Sequence, residues 1–107
     1  MSSEFVPVAR VADIMPGTAV AVIAGGREIA IFNVDGTFYA LDNTCPHQGG
    51  PLADGYIEGA TVTCPWHAWC FRLSDGKMTL GDFAEVETFE LRVDGDRIAV
   101  RAHPRAR

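Results

Sequence analysis

The chain has 107 residues, enough for one hydrophobic core and too few for two, so a single domain spanning 1–107 is expected. Fourteen Asp and Glu against nine Lys and Arg give a formal net charge of −5, which argues against nucleic acid and anionic membranes, since both require a basic footprint. No apolar run reaches the roughly 18 residues of a membrane span, and the opening Met1-Ser2-Ser3-Glu4 lacks the basic-then-apolar layout of a secretory signal, so a soluble, cytoplasmic protein is expected.

In chain order, Thr18–Ala24 runs into Gly25-Gly26 and is followed by the apolar run Glu28–Val34, the pattern of a β-hairpin. Asp35-Gly36 turns the chain into a third strand at Thr37–Asp42. Near the other end Thr88–Val93 alternates with period two, turns at Asp94-Gly95 and returns as Arg97–Arg101. No segment holds a helical period. Eleven Gly and six Pro fall mainly in turns and in the stretch between the strand groups. The expected fold is therefore all-β, built of antiparallel sheets. His103-Pro104-Arg105-Ala106-Arg107 reads as a solvated end.

The chemistry lies in the middle of the chain. Cys45-Pro46-His47 and Cys64-Pro65-Trp66-His67, separated by sixteen residues, each supply one thiolate and one imidazole. A Cys2His2 set suits tetrahedral zinc, but zinc sites of that composition usually place two cysteines together and then two histidines together. Here the types are interleaved, one of each on each loop. That is the arrangement required by a Rieske [2Fe-2S] centre, in which one iron is held by two Cys and the other by two His. The odd count of three cysteines argues against a disulfide framework and leaves Cys70 over. As an isolated thiol with only Arg72 near it in sequence, Cys70 reads as a packed side chain rather than a redox group.

The segments C-P-H-Q-G-G-P-L and C-P-W-H-A-W-C-F-R-L-S-D-G resemble the two cluster-binding loops of the Rieske family, most closely its small soluble ferredoxins and the similar small subunits of assimilatory nitrite reductases. The resemblance extends over about Phe5 to Ala102. It implies one [2Fe-2S] cluster per chain, with Cys45 and Cys64 on the inner iron and His47 and His67 on the outer one. It also implies a base lobe of antiparallel sheet with a smaller cluster-binding lobe, at about 43–75, inserted into it. Two ferric ions, two sulfides, two thiolates and two neutral imidazoles sum to zero charge, so such a cluster accepts an electron more readily than an all-thiolate one.

Around these ligands, Pro46 and Pro65 fix φ and shape the loops, Gly49 with Gly50 permits close backbone approach, and the amides of His47 and Ala68 are placed to point at sulfur. Gln48 and Trp66 read as a docking rim around the exposed imidazole edges, while Trp69 and Phe71 read as packing. Respiratory members of the family carry a disulfide at the places held here by Gly50 and Trp66, and hydroxyl donors to the cluster at the places held by Trp69 and Phe71. Lacking these, the chain is expected to have a potential near the low end of the Rieske range, roughly −150 mV. A proline-bearing cover over the cluster has no counterpart in 80–85, which contains no proline.

The resemblance thus implies an electron carrier rather than an enzyme, with a flavin-dependent reductase as donor and a terminal oxygenase as acceptor. The acceptor becomes a nitrite reductase large subunit if the chain is instead that enzyme's small subunit. A structural zinc module is the third reading.

Overall fold

The computed structural model describes residues 5–44, 50–65, 69–79 and 85–104. Among them the strands are β1 (Phe5–Arg10), β2 (Thr18–Ala24), β3 (Arg27–Val34), β4 (Thr37–Asp42), β5 (Tyr56–Glu58), β6 (Thr61–Thr63), β7 (Cys70–Arg72), β8 (Thr88–Asp94) and β9 (Arg97–Pro104). Short 3-10 turns occupy Val11–Asp13 and Leu52–Asp54, and no α-helix occurs among the described residues. All-β architecture is what the period-two patterning implied.

β3 organises the molecule because both of its faces are covered. Ile29 and Ile31 enter one apolar core with Ile14, Ala24, Ala40, Phe89, Ile98 and Val100. Ala30 and Phe32, pointing the other way, enter a second core with Leu41, Leu52, Val62, Cys64, Phe71, Leu73, Met78 and Val86. Side chains alternate across a strand, so a two-sided strand reads as a nearly unbroken apolar run, and Glu28–Val34 does. The first core belongs to the large sheet and to Ile14 in the connection between β1 and β2. The second joins the large sheet to the rest of the chain.

The large sheet has six antiparallel strands in the order β1-β9-β8-β4-β3-β2, and the small one has three in the order β5-β6-β7. Since β5 to β7 fall between β4 and β8 in the chain, the small sheet is an insertion into the large one. Both expected hairpins form: β2 pairs with β3 from Thr18↔Asn33 to Ala24↔Arg27, and β8 pairs with β9 down to Asp94↔Arg97. Asp35 (φ 52°) and Gly36 (φ 91°) turn β3 into β4, both left-handed, as the two-residue type I′ hairpin turn requires.

Two differences from the sequence reading have simple causes. β9 continues through His103 to Pro104, because Phe89 pairs with Pro104 beyond a register shift in β8, so that part of the expected solvated end is strand. β1 gave no alternating signal because it is an edge strand with a mixed burial pattern, and Pro7 sits beside a register shift between Pro7 and Ala9, where a missing amide donor is tolerated. What anchors β1 is Phe5, whose ring lies 4.6 Å from the Arg92 guanidinium and 4.8 Å from that of Arg101.

Candidate metal centre

The second cysteine loop grows directly out of the small sheet. On β6, Val62 points inward and is fully buried, and Cys64, two residues later on the same side, is only 2% exposed. Its thiol is free and lies in the apolar core shared by the two sheets. The Cys64 amide donates to the Trp69 carbonyl at 2.9 Å, so the loop between them is closed by the next rung beyond Thr63↔Cys70, Val62↔Phe71 and Thr61↔Arg72. This ladder sorts the side chains. Phe71 faces Val62 and is fully buried, whereas Cys70, its neighbour, points to the opposite side and is half-buried. The alternation that brings Cys64 inward thereby turns the third cysteine away from it. Trp69 is partly buried against the same core, of which Phe71 is a fully buried member.

The frame behind this loop is polar and tight. Past β7, Arg72 donates to both carboxylate oxygens of Asp75, at 3.2 Å from Nε and 2.7 Å from the terminal nitrogen, and the Lys77 amide donates to Asp75 Oδ1 at 3.0 Å. These donors hold the Asp75 carboxyl below its ordinary value and raise that of the Arg72 guanidinium, the mutual hydrogen bond being the main cause. Gly76 (φ 74°) follows, and its carbonyl accepts from the Val86 amide at 2.8 Å. A Cβ at Gly76 would lie 2.1 Å from the Val86 carbonyl oxygen, so backbone approaches backbone here more closely than any side chain allows. The Thr79 amide donates to the Cys70 carbonyl at 3.0 Å, covering the outer edge of β7.

The first loop is held differently. β4 ends at Asp42, whose Oδ1 accepts from the Thr44 amide at 2.9 Å, and Thr44 bridges to Pro51 across the loop. Asn43, only 3% exposed, donates its amide to the Glu28 carbonyl at 3.1 Å and accepts the Leu52 amide on its carbonyl at 2.7 Å. Its side-chain Oδ1 accepts the Ala53 amide at 2.8 Å. Leu52, fully buried, enters the core that contains Cys64, so both loop stems converge on one apolar floor. The sequence reading missed Asn43. An Asn at the mouth of a loop signals a local turn, but the amides it holds are nine and ten residues away.

Of the residues expected to form the site, Cys64 and Trp69 lie where described above. Cys45, Pro46, His47, Gln48, Gly49, Trp66, His67 and Ala68 lie outside the described residues, as does 80–84. Among the described residues no set of three or more His, Cys, Asp or Glu side chains gathers to hold a metal, so Cys64 is the only expected ligand they include. The donor fits a metal: a cysteine sulfur buried at the stem of the loop is a soft ligand of the kind that holds iron in such clusters. Charge is also unevenly spread. From Glu28 to Phe71 the chain holds five carboxylates and no Lys or Arg, and both loops fall within that stretch.

The sequence pattern of the Rieske [2Fe-2S] domain matches residues 4–101. The ferredoxin subunit of 3-phenylpropionate/cinnamic acid dioxygenase from Shigella flexneri is 38% identical over 92 residues, covering 84% of this chain and 86% of the relative. Among solved structures, a complex of reduced oxygenase and oxidized ferredoxin in carbazole 1,9a-dioxygenase matches with a TM-score of 0.89 at 25% identity, covering 99% of this chain and all of the other. A nitrite reductase small subunit from Mycobacterium tuberculosis shares the fold, with a TM-score of 0.86 at 24% identity over 94% of this chain and 96% of that one. With a family match across nearly its whole length, two antiparallel sheets of the matching topology and a buried cysteine at the stem of the second loop, the chain belongs to the Rieske [2Fe-2S] domain family and is a [2Fe-2S] protein.

Proposed function

We propose that the chain is a single-domain Rieske-type ferredoxin that carries one electron at a time from a flavin-dependent reductase to a terminal oxygenase. The observation that carries this reading is the match over 84% of this chain and 86% of the relative with a ferredoxin subunit of a dioxygenase system. In this reading the chain serves as the carrier, and catalysis belongs to its partners.

In this reading Cys45 and Cys64 hold the inner iron and His47 and His67 the outer one, within a cluster lobe of about 43–75. A bound [2Fe-2S] cluster supplies reversible one-electron chemistry at a neutral resting charge. The chain's own residues do the rest. Cys64 and the apolar floor of Leu52, Val62 and Phe71 keep water from the cysteine side. In the same reading electrons leave on the side of His47 and His67, with Pro46, Gln48 and Trp66 proposed as the docking rim. The cation-free stretch from Glu28 to Phe71 favours a partner with a basic face, which would speed encounter and orient it more than tighten it. No helix among the described residues is long and apolar enough to cross a membrane.

The test is reconstitution. Mixed with a flavin-dependent reductase, NADH and a terminal oxygenase of a ring-hydroxylating system, the protein should be required for product formation, and its rate of oxidation by the oxygenase should fall with added salt. Stable co-purification with a large sirohaem-bearing chain, with no transfer to any oxygenase, would make it a nitrite reductase subunit instead.

A further inference from the structure

We infer that Asn43 is the positioning residue that closes the first cluster loop and thereby sets how firmly the cluster is held. This rests on the reading that the loop contributes Cys45 and His47. The 3-10 turn Leu52–Asp54, on which the loop lands, has Pro51 at its N-cap position and no side-chain cap from it. The first amides of such a turn have no partner within it and need acceptors from elsewhere. Asn43 supplies both: its carbonyl takes Leu52 at 2.7 Å and its Oδ1 takes Ala53 at 2.8 Å. The same residue donates to the Glu28 carbonyl at 3.1 Å at the start of β3, so it ties the departing strand, the returning turn and the base sheet together.

Asn43 itself is 3% exposed and Leu52 is fully buried, while the contact to Ala53 is part-buried. Removing the side chain takes away the acceptor of the Ala53 amide beside that buried pair, which costs the hydrogen bond and loosens the turn on which the loop lands. Two of the four proposed ligands ride on that loop. How firmly the loop is held at this end therefore limits cluster release, whereas the described ends of the second loop are joined by backbone pairing.

A matched control exists in the base lobe. Asn33 is 4% exposed and makes two side-chain bonds of its own, Nδ2 to the Ile14 carbonyl at 2.7 Å and Oδ1 from the Gly36 amide at 2.8 Å. It is a buried asparagine of similar duty far from the loop in the chain. The experiment compares parent, Asn43→Ala, Asn43→Asp and Asn33→Ala, each purified with its cluster. Visible bleaching in excess chelator is followed well below the melting temperature, alongside the electron paramagnetic resonance spectrum and the midpoint potential. Asn43→Ala should bleach about tenfold faster, the effect of one lost hydrogen bond, with altered g values or a shifted potential. Asn43→Asp, which keeps the acceptor, should stay close to the parent rate and spectrum. Asn33→Ala should lower the melting temperature without faster bleaching. Parental bleaching and spectra in Asn43→Ala, or equal acceleration by Asn33→Ala, would overturn the assignment. Should Asn43→Ala yield no folded protein, Asn43→Ser, whose hydroxyl is too short to reach the same amide, carries the same expectation and the same refutation. A parent that binds no iron would instead refute the functional reading on which the inference rests.

Discussion

Where the second loop leaves and re-enters the small sheet, both ends are strands in register; where the first loop leaves β4, it returns to a 3-10 turn gripped by one asparagine. The second stem inherits its geometry from the ladder Thr61↔Arg72, Val62↔Phe71, Thr63↔Cys70. The first depends on Asn43, because the strand it leaves and the turn it reaches are not neighbours in any sheet. The sulfur of Cys64 is thus fixed by backbone pairing and burial, and the stem of the first loop shares its floor through Leu52. A centre assembled from two loops needs only one of them to be rigid by construction, provided the other is latched.

The largest expected effect tests the rigid side. Cys64→Ser should lose nearly all iron and colour, while Cys70→Ser should keep both, because the alternation of β7 turns Cys70 away from the face that carries Cys64. Iron content and the visible spectrum measure this directly, and iron loss in Cys70→Ser would show the ligand set to be wrong.

Gly76→Ala comes next and asks whether the second loop's frame extends behind β7. A Cβ there meets the Val86 carbonyl oxygen at 2.1 Å with φ at 74°. The overlap and the strained backbone together should cost about 3 kcal/mol, read as a fall of about 13 °C in the melting temperature. A melting temperature unchanged within 2 °C or so, on the same scale, would mean that the Val86 contact yields without cost and that the frame ends at β7.

The smallest effect concerns the Arg72–Asp75 pair, which is exposed to solvent. The Asp75 carboxyl is held below its ordinary 3.8, so the pair's contribution to stability is present above that pH and lost as the pH falls through the lower folded-state value. Asp75→Asn should therefore be slightly less stable than the parent at pH 7, and the difference should vanish in strong acid. Melting curves across pH 2 to 7 read the trend, and a difference that grows toward low pH would reverse the assigned sign.

Much of the large sheet was legible in the sequence because its hairpins are local. Thr18–Val34 and Thr88–Arg101 carry their alternation and their turn residues within one short stretch each. β5, β6 and β7 were not legible, since three residues hold too little alternation to be told from loop, and their pairing follows from the fold around them. Cys45, His47, Cys64 and His67 stood out because metal chemistry fixes residue type and spacing. Asn43 did not, because its partners Glu28, Leu52 and Ala53 become neighbours only after the small sheet has folded back onto β3. Local chemistry can be read from the chain, and non-local hydrogen bonds cannot.

The central claim, a low-potential one-electron Rieske carrier, is tested most directly by protein-film voltammetry of the purified parent with electron paramagnetic resonance on the reduced sample. The account predicts a single one-electron wave near about −150 mV, at the low end of the Rieske range, since neither Trp69 nor Phe71 brings a hydroxyl to the cluster, together with the rhombic signal of a reduced [2Fe-2S] centre. A midpoint above about +100 mV, in the upper part of that range, or a colourless protein with stoichiometric zinc and no signal on reduction, would contradict it.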